Sequence, residues 1–110
     1  MKDQFYMMRD YEQRKGLEDM ISWIQSIRPT KEMNLIEIGS YTGESTKMFA
    51  ENFNLVVSVD PFVNDYDPTD LACSYAPFEL VYKEFLNNTL SYSNIKSIRD
   101  TSENAFGVLN

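Results

Sequence analysis

The chain has 110 residues, 43% of them hydrophobic and 25% charged, which fits one small globular domain. Its 17 acids against 10 bases give a net charge of −7, and no basic stripe gathers on one element, so nucleic acid is excluded as the main partner. There is no histidine and only one cysteine, Cys73, which excludes a Ser-His-Asp triad, a histidine base, an internal disulfide and an ordinary zinc site within these residues.

In chain order, the segment MKDQFYMMRD lacks the long apolar core of a secretory signal, and no later run approaches a membrane span. With a lone cysteine, this makes the cytoplasm the expected compartment. Phe5, Tyr6, Met7 and Met8 are too apolar for a free tail and are expected to pack on this domain or a neighbour. Residues 9 to about 28 form a predicted helix, because Leu17, Met20, Ile21, Ile24 and Ile27 recur at three- and four-residue steps, with Trp23 beside them. Gly16 either costs this helix about 1 kcal/mol against alanine or marks a bend or a close approach. Pro29 stops the helix by pushing the residue before it out of the α region.

Leu35 to Ile38 is a predicted strand, and Thr42 to about Asn52 a predicted helix with Met48 and Phe49 facing a core. The β-branched run from Leu55 to Val59 is a second strand, closed by Asp60-Pro61. Residues 61 to 76 read as a long loop. Its Asp65, Asp67 and Asp70 do not match a calcium loop, since the spacing is wrong and Pro68 stands where flexibility is needed. Cys73 has nothing nearby in sequence to lower its pKa and reads as a small filler. Phe78 to Leu90 is helical; its Phe78 and Tyr82, with Tyr66 and Tyr75 of the preceding loop, form either local core or the mouth of a substrate site. Ile95 to Ile98 is a third strand, and Ser102, as N-cap, opens a helix to Leu109. The order, α then β-α-β-α-β-α, predicts an α/β fold with a parallel sheet and right-handed crossovers. No repeat or low-complexity segment is present.

The turn Glu37-Ile38-Gly39-Ser40-Tyr41-Thr42-Gly43 carries the chemistry. Glycine belongs where backbone turns sharply and lies close to a ligand. The helix that follows offers free N–H groups and a positive dipole end. A dinucleotide fingerprint would place glycines at 39, 41 and 44, but these positions hold Gly39, Tyr41 and Glu44. A pyrophosphate there would meet a ring and a negative charge, so NAD is disfavoured and a cofactor without phosphate fits better. Asp60, at the end of the second strand, is placed to accept hydrogen bonds from ribose hydroxyls. Glu37, between two apolar residues of a strand, needs a partner if it is buried, and a ligand amine is one candidate.

Taken together, Leu35-Ile36-Glu37-Ile38-Gly39, Gly43, Val57-Ser58-Val59-Asp60-Pro61-Phe62 and Ile98-Arg99-Asp100-Thr101-Ser102-Glu103 resemble the class I S-adenosylmethionine-dependent methyltransferases. Within these, the chain is most similar to the small-molecule and sugar O-methyltransferases, whose leading helix carries a pattern seen here as Gln13 and Gly16-Leu17. The resemblance runs from about residue 13 to the end and implies the first three strands of a Rossmann-like sheet, over 1–110. It implies S-adenosylmethionine as cofactor and methyl transfer to a hydroxyl of a small molecule or sugar. Gly39 and Gly43 would make room for the methionine part, Glu37 would orient its amino group, Asp60 would hold the ribose and Asp100 the adenine amine. Ser40, Tyr41 and Thr42 would line the turn.

The family places its catalytic or metal-binding acids, often Asp-Gly-x-His, on a fourth strand, which is not found among these residues. No metal site and no general base are therefore assigned. The first strand would become an apolar edge, expected to be covered by a further segment, a second copy or a partner chain. The other readings are a noncatalytic module that holds the cofactor or its product, and a dehydrogenase half, against which Tyr41 and Glu44 count.

Overall fold

A computed structural model describes residues 11–63, 69 and 77–109, without the side chains of the last two. The expectations for residues 1 to 10, and for Asp65, Tyr66, Asp67, Asp70, Cys73 and Tyr75, lie outside the described residues. The described chain is α/β. It runs α1 (Tyr11–Ile27), a short 3-10 turn (Thr30–Glu32), β1 (Asn34–Ile38), α2 (Glu44–Asn52), β2 (Leu55–Val59), α3 (Phe78–Thr89), β3 (Ile95–Ile98) and α4 (Ser102–Leu109).

The sheet is parallel, in the order β1-β2-β3, with Ile36 beside Val57 and Val57 beside Lys96. The central strand β2 is the apolar one because helices cover both its faces. Val56 packs with Ile21, Phe49, Ala50 and Phe53 from the side of α1 and α2. Val57 and Val59 pack with Ala105 of α4 on the other side. A third cluster joins Phe62 to Phe78, Val81 and Phe85 of α3, so Phe78 and Tyr82 belong to local core. Gly16 lies within the continuous α1, and among the described residues a Cβ there would meet nothing within 4 Å, so no close approach accounts for it.

α1 uses only part of its apolar surface. Ile21 is buried and Leu17 and Ile24 pack beside it, but Met20, Trp23 and Ile27 are exposed. The apolar band wraps further round the helix than its contact with α2 can cover. As the first strand was expected to be, β1 is an edge: among the described residues it pairs with β2 alone, and Ile36 and Ile38 are 57% and 62% exposed. α2 starts at Glu44 rather than Thr42, because Tyr41 and Gly43 both have left-handed backbone (φ 50° and 85°) and the Gly43 N–H closes a turn on Ser40 O at 3.0 Å. The cap of α4 is Thr101 rather than Ser102, since the Thr101 hydroxyl accepts the Asn104 N–H at 3.2 Å.

Candidate functional site

The three strands end level with one another. The Gly39 N–H donates to Val59 O at 2.8 Å and the Asp60 N–H to Ile98 O at 3.1 Å. Beyond these ends lies a cleft of about 310 Å³, bounded by Ile38 and Gly39, by Val59 and Pro61, and by Thr101, Ser102 and Glu103 at the start of α4. This is where ligands sit in open α/β sheets, and the volume is at the low end of ordinary ligand sites. The walls are apolar below and hydroxyl-bearing on one side, and the one charged side chain among them is Glu103. A second hollow, between α1 and α2 beside Glu18, Met48 and Glu51, lies away from the strand ends.

The two glycines of the turn serve different ends. Gly39 has φ 88°, and a Cβ there would enter open space. Gly43 has φ 85°, and its Cβ would lie 3.0 Å from a ring carbon of Phe85 and 3.4 Å from the Phe85 backbone and the Thr89 methyl. Gly39 therefore leaves backbone bare at the cleft, whereas Gly43 makes room for α3. Tyr41, where a dinucleotide fingerprint has its second glycine, keeps the left-handed backbone but carries a ring set edge-on to Phe78 at 6.0 Å.

Asp60 is buried, 6% exposed, and ties two turns together. One oxygen accepts the Tyr41 N–H at 3.1 Å, and the other accepts the Phe62 N–H at 2.8 Å. Tyr41 and Phe62 (φ 54°) are the two non-glycine residues with left-handed backbone among the described residues. Bulky residues rarely adopt it; here the same carboxylate holds both. A carboxylate oxygen has two lone pairs, so each retains acceptor capacity.

Glu37 is also buried. It accepts hydrogen bonds from the hydroxyls of Ser45 and Thr46 on α2 and, at 3.2 Å, from Ser58 on β2. Ser40, expected to line the turn toward the cofactor, turns its hydroxyl inward to Ser58 and is 1% exposed. Its side chain is no wall of the cleft. Sequence reasoning missed Ser45, Thr46 and Ser58; a serine inside the run Val56-Val57-Ser58-Val59 was the available signal.

Asp100 directly precedes Thr101 but is not itself among the residues that bound the cleft. Its Oδ1 accepts the Thr101 N–H at 2.8 Å and the Asn104 side-chain amide at 2.9 Å. The Asn104 bond first, and the Thr101 N–H second, hold its carboxyl below the ordinary aspartate value of 3.8. A lowered folded-state value means a contribution present above the ordinary value and lost as pH falls through the folded one. The first turn of α4 is accordingly expected to loosen below pH 3.8. In a carboxyl-carbon NMR titration, the Asp100 midpoint should lie below that value in the native chain and rise toward it in Asn104→Ala. Arg99 does not pair with Asp100: it meets Glu79 at 3.2 Å and lies over the Tyr82 ring at 4.0 Å.

Among the described residues there is no cluster of metal-ligating side chains, and no helix is long and apolar enough to cross a membrane. Neither models of known protein families nor curated proteins match the chain.

Proposed function

We propose that this chain is the cofactor-binding part of a class I S-adenosylmethionine-dependent methyltransferase, with the cofactor in the cleft beyond the strand ends. The observation that carries the reading is Asp60: a buried acid at the end of the central strand, bonded to the glycine turn and beside the cleft. The cleft's composition supports it. An adenosyl group suits walls of Ile38, Val59 and Pro61, a positively charged sulfonium suits the acid Glu103, and among the described residues no lysine or arginine lines the cleft to recruit a phosphate.

When bound, the cofactor supplies an electrophilic methyl group. The chain's own work is positioning. Gly39 lets the ligand approach bare backbone, Asp60 accepts the ribose hydroxyls with its remaining lone pairs, and Asp100 accepts the adenine amine with the oxygen not committed to α4. The acceptor is a hydroxyl of a small molecule or sugar, whose proton a general base must take; no residue of this chain is assigned that role. A further segment, a second copy or a partner chain covers the Ile36–Ile38 edge.

The test is a calorimetric titration of the folded chain with S-adenosylhomocysteine, with NAD as control. Saturable binding of the first and none of the second is expected. Binding of NAD alone would replace this reading with the dehydrogenase one.

A further inference from the structure

The Thr42–Gly43 peptide unit is held at both ends. Its N–H, on Gly43, donates to Ser40 O at 3.0 Å and closes the turn. Its carbonyl lies outside the ladder of α2, whose first helical bond runs from the Lys47 N–H to Gly43 O. The side-chain amide of Asn88, in the last turn of α3, donates to this carbonyl at 2.8 Å. Thr42 is 3% exposed, so water is a poor substitute for that donor. Asn88 stands one turn beyond Phe85, on the side of α3 that packs against Gly43.

We infer that Asn88 is a positioning residue, which fixes the glycine turn from α3 by holding the Thr42 carbonyl. Glycine adopts left- and right-handed backbone about equally readily. The nearness of Phe85 demands glycine at position 43, and that glycine leaves both hands open to the turn. Because a peptide unit is planar, turning it over moves both its ends. It would carry Gly43 to the other hand and withdraw the N–H from Ser40 and the carbonyl from Asn88 together. The Asn88 bond selects one of the two states. The same turn begins at Gly39, on the cleft, and contains Tyr41, whose N–H meets Asp60. Holding it pre-forms the Gly39 side of the cleft, so a ligand need not select that state from a mixture. The lock stands on the geometry alone; its effect on the ligand rests on the function proposed above.

The test uses Asn88→Leu, which keeps the branched shape and removes the donor, with Asn87→Ala at the exposed neighbouring position as control. In the ligand-free chain, hydrogen exchange of the Gly43 amide should rise about tenfold or more in Asn88→Leu, relative to amides in the middle of α2 and α3, as local opening becomes easier. S-adenosylhomocysteine should bind Asn88→Leu about fivefold or more weakly, and Asn87→Ala within about twofold of the native chain. Gly43 exchange that is unchanged, or raised only as far as that of α2 and α3, would overturn the inference. An equal rise in the control, or unchanged affinity in a variant whose turn has loosened, would overturn it too. Asn88→Ala carries the same comparison if Asn88→Leu does not fold. If the native chain does not bind S-adenosylhomocysteine, the proposed function fails, and the exchange result still decides the lock.

Discussion

Of the glycine-to-alanine changes in this chain, Gly43→Ala is expected to be the most damaging. Its left-handed backbone costs an alanine about 1–2 kcal/mol. The added methyl must also displace Phe85, whose backbone at 3.4 Å cannot yield as its ring can. Overpacking of this kind adds about 1–3 kcal/mol. The sum is a large share of the roughly 5–15 kcal/mol that holds a small domain together. A fall in thermal midpoint of about 10–40 °C is expected, at roughly 4–8 °C per kcal/mol. Gly39→Ala is the control: it has the same backbone cost but open space for the methyl. Its midpoint should drop by less than half as much in a calorimetric melt. Equal losses would show that the approach of α3 to Gly43 is not what demands glycine there.

Asp60→Ala is the second large effect, and it strikes stability and binding together. It leaves the Tyr41 and Phe62 N–H groups without their acceptor, at about 1–3 kcal/mol for each buried donor. It also releases the two left-handed turns that the carboxylate holds. Binding loses both the contact to the ligand and the shape of the turn. Affinity for S-adenosylhomocysteine should fall by about a hundredfold or more, equivalent to roughly 2.7 kcal/mol. Asp60→Asn, with one acceptor oxygen instead of two, should fall between. Titration calorimetry gives the affinities, and a denaturant melt gives the stabilities.

Much of the fold was legible because its signals are local. β2 and β3 have the expected bounds, Leu55–Val59 and Ile95–Ile98, and Pro29 ends α1 as expected. Errors arose where tertiary contacts choose among locally equal options. Thr101 and Ser102 are both good caps, and only the geometry makes Thr101 the cap. Nothing in a sequence announces that Tyr41 will adopt a left-handed backbone; that follows from the Asp60 carboxylate 19 residues away. The apolar band of α1 is wider than one neighbour can cover, and the position of α2 decides for Ile21 against Met20 and Trp23.

The site was legible in the same measure. Gly39 and Asp60 come together because each follows the end of its strand and parallel strands bring those ends side by side. Glu37 was visible as an acid that needed a partner, but its partners were not. They lie on α2 and β2, and the contact exists only once the helix has folded back over the sheet.

The decisive measurement is an amide NMR titration of the isotopically labelled chain with S-adenosylhomocysteine. Saturable shift changes at Gly39, at the Asp60–Phe62 segment and at Thr101 to Glu103 are expected, with α1 and the hollow beside Glu18 and Glu51 unmoved. Shifts confined to that hollow, or none in a chain whose spectrum shows it folded, would contradict the assignment of the strand-end cleft as an adenosyl site.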